Sequence, residues 1–387
     1  MPIAEIQTVC FVGAGNMGCF NAAKAACSGY RVTLYDVSED SLQQARSRCE
    51  GFAAYFASIG YCQSDDVAPA LGRMVFSADL AAATAEADLV SESVFERLDI
   101  KREVHGKLDQ LCPARTILTT NSSYLLPSSI EDAVQRGDRF AAMHSYMGSP
   151  LVDIVGSRRT SADTIRVLES YVQSINAVPL VLHKEHPGYV LNAILGPVLA
   201  TAMMLVTEGR GTVEQVDRAW MHYRSAPMGP LGIMDIIGLN LIYDSWEKRG
   251  EEGSIPGLRP RVLALLNPYI ERNELGMSTG KGFYRYPEPA FQAPGFAGAD
   301  ESLEMLYQPL MLALVASAVL VAAAGVAEPE EIDRAWMVGT SLDKGPFAIL
   351  EAVGTEVFID VFELFAAAGG FNADNAKIVS RYFADRR

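Results

Sequence analysis

Residues 9–36 read VCFVGAGNMGCFNAAKAACSGYRVTLYD, and this stretch decides the fold of the first half of the chain. It opens with a short apolar run of the kind that forms a buried parallel strand. Glycines follow at positions 13, 15 and 18, then small helix-forming residues, and a second apolar run ends on Asp36. The order of strand, glycine-rich turn, helix and strand predicts the first βαβ unit of a doubly wound sheet.

The three glycines have the spacing that a dinucleotide site requires. Gly13 allows a tight turn, Gly15 lets the backbone approach a pyrophosphate, and Gly18 lets the helix pack closely on the strand. The pyrophosphate would lie on free N–H groups at the helix N-terminus. Asp36 could accept hydrogen bonds from the ribose hydroxyls, and its charge disfavours the 2′-phosphate of NADP. The stretch therefore predicts an NAD site, and the alternative is a glycine-rich turn without a ligand.

Length, charge and cysteine usage restrict the class of protein. The 387 residues suffice for two or three domains. The formal net charge of −15 disfavours nucleic acid or an anionic membrane as a partner. The 6 cysteines show no C-x-x-C spacing and no Cys–His cluster, which favours free thiols over disulfides or a bound metal. Because the first predicted strand begins so near the first residue, we expect no signal peptide and a cytoplasmic location.

One apolar run, residues 309–327, approaches the length of a membrane-spanning helix. It is rich in small residues and lacks flanking basic or aromatic anchors. We therefore expect a buried helix in a helical domain and no membrane partner.

Strand and helix signals alternate as far as residue 182, and only helical periodicity follows. Predicted strands at 116–120 and 139–144 end on polar residues, and a helix is predicted between them at 127–136. Repeated βα alternation with one ligand loop after the first strand is typical of a doubly wound, Rossmann-like sheet. The predicted NAD-binding domain comprises residues 1–183.

The helical half of the chain repeats itself. The segment QVDRAWM at 215–221 matches EIDRAWM at 331–337. The same offset aligns Gly229-Pro230 with Gly345-Pro346. These ungapped matches indicate two copies of one helical unit.

The offset also lays the apolar residues 201–206 on residues 317–322, so two apolar helices are equivalent and could bury each other. We predict an all-α domain of two repeats, at residues 184–290 and 291–387. A segment rich in Pro, Gly and Ala at 287–300 is the predicted linker between the repeats.

His144 is the sharpest single candidate for chemistry. It ends a predicted strand beside the crevice where doubly wound folds bind ligands, and histidine can take a proton from an alcohol near neutral pH. Asp153, on the returning strand, is the nearest suitable carboxylate partner; a structural histidine is the alternative. The segment Asn121-Ser122-Ser123 also ends a strand on this side, as a helix cap or as hydrogen-bonding groups for cofactor or substrate. Asn192 lies in an apolar helix, where we expect it to meet a polar partner.

Seven segments resemble the 3-hydroxyacyl-CoA dehydrogenase family across nearly the whole chain. They are VGAGNMG at 12–18, SESVFERLDIK at 91–101, NSS at 121–123, RFAAMH at 139–144, PGYVLNAIL at 187–195, PMGP at 227–230 and TGKGFYRYP at 279–287. The second helical repeat resembles the duplicated C-terminal domain of long-chain and multifunctional members. The resemblance implies reversible oxidation of a 3-hydroxyacyl thioester, with hydride transfer from C3 to the nicotinamide of NAD.

The resemblance also implies roles for individual residues. His144 matches the catalytic histidine, Ser123 the serine near nicotinamide and substrate, and Asn192 the substrate-positioning asparagine. Together with Asp153, these are the candidate catalytic residues, and no metal site is expected. The candidate cofactor-binding residues are Gly13, Gly15, Asn16, Met17, Gly18, Asp36, Glu96, Lys101 and Asn121.

The chain departs from the family after the histidine. The family usually reads H-F-F-N-P and then L-V-E-V with the partner glutamate, whereas residues 144–156 read HSYMGSPLVDIVG. An ungapped alignment places Gly156 at the glutamate position and breaks the pair. A shorter connection places Asp153 there, and we favour it because it preserves both the strand pattern and the charge.

The sequence leaves three hypotheses for the function. The region 41–70, which helps to hold CoA in the family, contains only two basic residues, Arg46 and Arg48. The hypotheses are a 3-hydroxyacyl-CoA dehydrogenase, a related dehydrogenase for a non-CoA hydroxy acid or a carrier-bound intermediate, and a catalytically silent NAD-binding protein. Single-copy relatives generally dimerise through the helical domain. Because the second repeat could supply that contact within one chain, we expect a monomer, or a dimer through another surface.

Overall fold

A computed structural model of the protein describes residues 2–248, 255–299 and 302–386. The chain divides into two compact units. The first extends to Tyr189 and includes Val338–Thr340, and the second begins at Val190. The predicted domain boundaries after residues 183 and 290 stay predictions.

The first unit is built on an eight-stranded sheet. Its strands are β1 Thr8–Val12, β2 Arg31–Tyr35, β3 Met74–Ser77, β4 Leu89–Glu92, β5 Ile117–Thr120, β6 Phe140–Ser145, β7 Leu151–Gly156 and β8 Val178–Val181. The order across the sheet is β3-β2-β1-β4-β5-β6-β7-β8, and every pair is parallel except β6–β7. The order reverses between β1 and β4, so the ligand crevice of a doubly wound fold lies at the carboxyl ends of these strands.

Helices cover both faces of this sheet. Alternate residues of β1 pack into two different clusters, Val9 and Phe11 in one and Cys10 and Val12 in the other. Because successive side chains of a strand point to opposite faces, both faces are apolar and need covering. The helices are α1 Asn16–Cys27, α2 Glu39–Ser58, α3 Val67–Gly72, α4 Leu80–Thr84, α5 Leu98–Leu111, α6 Pro127–Ile130 and α7 Ala162–Ser174.

The helix predicted at 127–136 is wrong in its second half. Only α6 is α-helical, and a 3₁₀ turn at Glu131–Ala133 follows it. The side chain of Arg159 donates hydrogen bonds to the backbone carbonyls of Glu131 and Val134. These tertiary bonds satisfy carbonyls that an uninterrupted helix would have paired with its own N–H groups.

The second unit is helical in the part of the chain that the structure describes. Its helices are α8 Leu191–Thr207, α9 Val213–Arg224, α10 Pro230–Ile237, α11 Leu239–Lys248, α12 Leu258–Glu271, α13 Leu303–Ala323, α14 Pro329–Thr340, α15 Pro346–Val353, α16 Thr355–Ala367 and α17 Ala373–Ala384. By length and composition α13 could cross a membrane, but 72% of its most apolar 18-residue stretch is buried in the folded chain. It is the buried helix predicted from residues 309–327.

The two repeats pack against each other within this unit. The equivalent apolar helices α8 and α13 are in contact. The equivalent tryptophans Trp220 and Trp336 meet edge to face, with ring centroids 6.5 Å apart. The predicted fold class, a Rossmann-like sheet followed by an all-α region, is confirmed.

Candidate active site

The turn after β1 needs glycine at two of its three glycine positions for steric reasons. Gly13 has φ +106°, and a Cβ there would lie 2.6 Å from the carbonyl oxygen of Ser93. A Cβ on Gly18 would lie 1.9 Å from the carbonyl oxygen of Gly13. A Cβ on Gly15, by contrast, would meet no atom within 4 Å. The space beside Gly15 is therefore open to a bound group, as the pyrophosphate of a dinucleotide requires.

Helix α1 begins directly beside this space. Its N-cap, Gly15, supplies no side-chain cap, and the first turn contains no acidic residue. Gly15 and Asn16 are exposed, and Met17 is half-buried. Because no carboxylate neutralises the positive end of the helix dipole, the first turn is suited to bind phosphate oxygens.

Asp36 connects the end of β2 to the glycine turn. Its Oδ2 accepts a hydrogen bond of 2.8 Å from the backbone N–H of Ala14, and its Oδ1 accepts one of 3.0 Å from Ser38. Each carboxylate oxygen can accept more than one hydrogen bond, so acceptor positions remain for ribose hydroxyls. These residues fit an NAD molecule, and the predicted contact of Asp36 with the ribose stays a prediction.

Glu96 and Asn121 organise the polar segments that follow β4 and β5. Glu96 accepts hydrogen bonds from the Ser122 hydroxyl and from the backbone N–H of Tyr124 and of Leu125. Its side chain remains 42% exposed, so the carboxylate can still meet a ligand. Asn121 Oδ1 accepts a hydrogen bond of 2.8 Å from the backbone N–H of Ser145 at the end of β6. These hydrogen bonds join the segments that follow β4 and β5 to each other and to the end of β6.

A buried charge cluster lies behind these segments. Glu92 accepts hydrogen bonds from Lys101 at 2.7 Å and Thr120 at 2.9 Å, and His105 Nε2 lies 3.3 Å away. Burial favours the neutral form of Glu92, but the hydrogen bond from His105 and the charge of Lys101 outweigh it and lower the pKa to about 2. Lys101 also lies 3.4 Å from Glu96, so its predicted role toward the cofactor stays a prediction.

Replacing Glu92 with Gln is expected to lower the free energy of unfolding by about 3–5 kcal/mol at neutral pH, because buried Lys101 loses the nearer and fully buried of its two charge partners. The folded pKa of Glu92 lies below the unfolded value of 4.5, so its stabilising contribution is present above pH 4.5 and is lost as pH falls toward 2. Thermal unfolding at pH 7 and pH 3 should therefore show less acid sensitivity in the variant. The control is Glu103→Gln, which breaks an exposed pair with Lys107 on the same helix; an equal loss in both variants would contradict this account.

His144 and Asp153 face each other on adjacent strands. They are directly paired in the antiparallel register of β6 and β7, and both are buried. His144 Nδ1 lies 3.4 Å from Asp153 Oδ2, and His144 Nε2 lies 3.0 Å from Ser123 Oγ. A carboxylate oxygen only accepts, which assigns the proton of the neutral imidazole to Nδ1 and leaves Nε2 as the acceptor for the Ser123 hydroxyl. The structure therefore brings together three of the predicted site residues.

The register places Gly156, the glutamate position of the ungapped alignment, away from His144. Gly156 pairs with Ala141, three residues before His144 along β6. The residue opposite His144 is Asp153, as the shorter connection predicts.

Two tyrosines near His144 were missed by the sequence reasoning. The ring of Tyr146 meets the imidazole edge to face at 4.4 Å, and the ring of Tyr189 lies at 5.0 Å. The Tyr189 hydroxyl donates to the carbonyl oxygen of Ser122 at 2.9 Å. The only signal for Tyr146 was its position two residues after the histidine, and Tyr189 lay inside the quoted segment PGYVLNAIL. Glu92 and His105 were missed because burial decides their pairing.

Asn192 lies in the second unit, in the first turn of α8, and is half-buried. Its predicted role toward the substrate stays a prediction. Among the residues that the structure describes, no group of His, Cys, Asp and Glu side chains could hold a metal ion.

Comparison with known proteins identifies both halves of the chain. The model of the 3-hydroxyacyl-CoA dehydrogenase NAD binding domain matches residues 8–186. The model of the C-terminal domain of the same family matches residues 188–286 and 306–387.

Individual relatives agree with these matches. Human mitochondrial hydroxyacyl-coenzyme A dehydrogenase is 31% identical over 292 residues, which cover 73% of this chain and 91% of the human protein. A probable 3-hydroxybutyryl-CoA dehydrogenase of Bacillus subtilis (strain 168) is 30% identical and covers 73% of this chain and 99% of its own length.

Two solved structures extend the comparison. A diketoreductase is 37% identical, with a TM-score of 0.68, and covers 73% of this chain and all of its own. A 3-hydroxybutyryl-CoA dehydrogenase of Escherichia coli K12 aligns over 98% of both chains with a TM-score of 0.79, and at 21% identity this shows the fold alone.

The glycine turn, the helix N-terminus and the matched NAD-binding domain define an NAD-dependent oxidoreductase. The predicted cofactor, NAD, is confirmed at the level of the domain. The chain belongs to the 3-hydroxyacyl-CoA dehydrogenase family.

Proposed function

We propose that the protein catalyses the reversible oxidation of a 3-hydroxyacyl-CoA, with His144 as the general base. The observation that carries the proposal is the fixed imidazole. Nδ1 faces the buried Asp153, so Nε2 is left as an acceptor beside the Ser123 hydroxyl at 3.0 Å. A histidine held in this tautomer by a carboxylate is prepared to take a proton from an alcohol.

The site residues of the first unit have separate roles in this reaction. The glycine turn and the N-terminus of α1 would hold NAD, which would supply the acceptor for the hydride on the substrate carbon that carries the hydroxyl. His144 Nε2 takes the hydroxyl proton, and the charge of Asp153 stabilises the imidazolium that forms. Ser123 hydrogen-bonds at the same nitrogen, where it can orient the substrate oxygen. In the reverse direction, His144 returns the proton to the carbonyl oxygen.

The names of the relatives support a CoA thioester as the substrate. The human and Bacillus subtilis relatives are hydroxyacyl-CoA and 3-hydroxybutyryl-CoA dehydrogenases, and each aligns with 73% of this chain. The match to the family's NAD binding domain, at residues 8–186, includes the region 41–70 that helps to hold CoA in the family. CoA is therefore the first candidate carrier for the acyl group.

A second candidate is a hydroxy acid or dicarbonyl compound without CoA. The diketoreductase, which acts on dicarbonyl compounds, is more similar in sequence, at 37% identity, than the two acyl-CoA dehydrogenases. Residues 41–70 also offer only Arg46 and Arg48 to the phosphates of CoA, and Arg48 donates to the carbonyl oxygen of Ala14. The silent NAD-binding protein is the least supported, because Asp153 completes the pair with His144.

Initial rates of NADH formation should separate the two candidates. The substrates are (S)-3-hydroxybutyryl-CoA, its phosphopantetheine thioester and free (S)-3-hydroxybutyrate, with NADH-dependent reduction of a diketo ester as the reverse assay. We expect kcat/KM for the CoA thioester to exceed that for the free acid by about 10²-fold or more, because remote binding energy assists the reacting centre. Preference for the phosphopantetheine thioester would indicate a carrier protein. Preference for the free acid or the diketo ester would overturn the CoA assignment.

A further inference from the structure

We propose that Tyr146 is a positioning residue that holds Asp153 against His144. Its hydroxyl donates a hydrogen bond to Asp153 Oδ2, the same oxygen that faces Nδ1 of His144. The inference deepens the proposed function and rests on His144 as the base. It extends the pair to a chain of three side chains, from phenol to carboxylate to imidazole.

The geometry holds Tyr146 in contact with both partners. Tyr146 immediately follows β6, and its half-buried ring meets the imidazole edge to face at 4.4 Å with an interplanar angle of 83°. A carboxylate oxygen has no proton to give, so the phenol is the donor toward Asp153. One side chain therefore packs against the base and hydrogen-bonds its partner.

Asp153 needs this second donor because of its burial. Its side chain is fully buried, and Oδ1 has no hydrogen-bond partner among the residues that the structure describes. A buried carboxylate is costly unless hydrogen bonds compensate it. The bonds at Oδ2, from Tyr146 and His144, are the ones that stabilise the charge.

The length of the aspartate makes the second donor more important. Nδ1 and Oδ2 are 3.4 Å apart, which is long for a charge-assisted hydrogen bond. A bond of that length fixes the direction of the carboxylate only loosely. Tyr146 donates to the same oxygen, so two side chains rather than one hold the carboxylate toward the imidazole.

The Ser123 hydroxyl and the Tyr189 ring also contact His144. Burial and the charges of Asp153, Glu96 and Glu185 raise the pKa of Tyr189, so it stays neutral.

The test is Tyr146→Phe, which keeps the ring and removes the hydroxyl. ¹⁵N NMR of labelled histidine in the free protein, at a pH where the ring is neutral, should show His144 losing population of the Nδ1–H tautomer, because Asp153 is no longer held in place as its acceptor. We expect kcat to fall roughly tenfold with KM for NAD unchanged.

Two further variants separate positioning from a general loss of structure. Tyr30→Phe removes another hydrogen-bonded phenol hydroxyl, which lies near Ser174 at the opposite ends of the strands, and should leave the His144 tautomer unchanged. The double variant Tyr146→Phe, Asp153→Glu supplies a longer carboxylate in the space of the lost hydroxyl and should recover most of the lost kcat. Failure of this rescue would overturn the positioning role.

The tautomer measurement decides the inference even if the proposed reaction fails. An Nδ1–H population of His144 that stays unchanged in Tyr146→Phe would overturn the inference, whatever the enzyme oxidises. Absence of activity on every hydroxyacyl substrate, with the expected loss of the Nδ1–H tautomer, would refute only the proposed function.

Discussion

Replacing His144 with alanine is expected to lower kcat by about 10²–10⁴-fold, the usual contribution of a positioned general base. NAD binding should be unchanged, because the glycine turn and Asp36 lie on other strands of the sheet. Steady-state rates of NADH formation give the first quantity, and calorimetric titration with NAD gives the second. Loss of both activity and NAD binding would point to misfolding instead.

Asp153→Ala should also lower kcat, because the imidazole loses the acceptor that selects its tautomer. The matched control is Asp163→Ala, which removes an exposed carboxylate paired with Arg166 on α7. The control should keep the kcat of the unmodified protein. Full activity of Asp153→Ala would exclude the His144–Asp153 pair as the catalytic unit.

The largest effect on stability is expected for Asp217→Ala in the second unit. The fully buried carboxylate of Asp217 accepts hydrogen bonds from the backbone N–H of Leu231 at 2.8 Å and of Gly232 at 2.9 Å, in the first turn of α10. It also accepts a hydrogen bond of 2.9 Å from the Tyr284 hydroxyl. Removing it leaves three buried donors without this partner, so the free energy of unfolding should fall by about 3–5 kcal/mol.

The sequence repeat supplies an internal control. Asp333 caps α15 as Asp217 caps α10, accepting from the backbone N–H of Phe347 at 2.7 Å and of Ala348 at 2.9 Å. Asp333 is only half-buried, so Asp333→Ala should cost about 1 kcal/mol, the usual value of a helix cap.

Tryptophan fluorescence is the matching probe for both variants. All 3 tryptophans of the chain lie in the helical half. Urea unfolding followed by fluorescence therefore reports on that half of the molecule. Equal shifts of the urea midpoint in Asp217→Ala and Asp333→Ala would contradict the role assigned to burial.

The stability of the second unit should also depend on pH through Asp217. Burial, with a smaller effect from the charge of Asp235, raises the pKa of Asp217 to about 7, against the hydrogen bonds that lower it. The folded pKa exceeds the unfolded value of 3.8, so the stabilising contribution is complete below pH 3.8 and is lost as pH rises to about 7. The midpoint of urea unfolding should fall between pH 5 and pH 8, and by less in Asp217→Asn.

Local sequence was enough to predict the glycine turn and the strand ends. Positions 13 and 18 require glycine because a Cβ at either one would clash with backbone atoms. Such a requirement fixes the spacing of the glycines, which can be recognised in the sequence. The pairing of His144 with Asp153 was also accessible, because two strands joined by a short connection have a limited choice of register. The repeat predicted that α8 and α13 are equivalent, and the structure places them in contact.

Contacts between distant segments could not be predicted in this way. The helix that begins at Pro127 ends early because Arg159, which is distant in sequence, donates hydrogen bonds to the carbonyls of Glu131 and Val134. The hydrogen bond from Tyr146 to Asp153 depends on the course of the connection between β6 and β7. No feature of the sequence sets Glu92 apart from other strand residues, and only the folded structure shows it buried with Lys101.

The most direct test of the central claim follows the hydride itself. The protein is incubated with NAD and (S)-3-hydroxybutyryl-CoA that carries deuterium at C3, and the NADH is analysed by mass spectrometry. We predict one deuterium on the nicotinamide of the product and almost no product from His144→Ala. Tight NAD binding without NADH, or NADH that contains no deuterium, would contradict it.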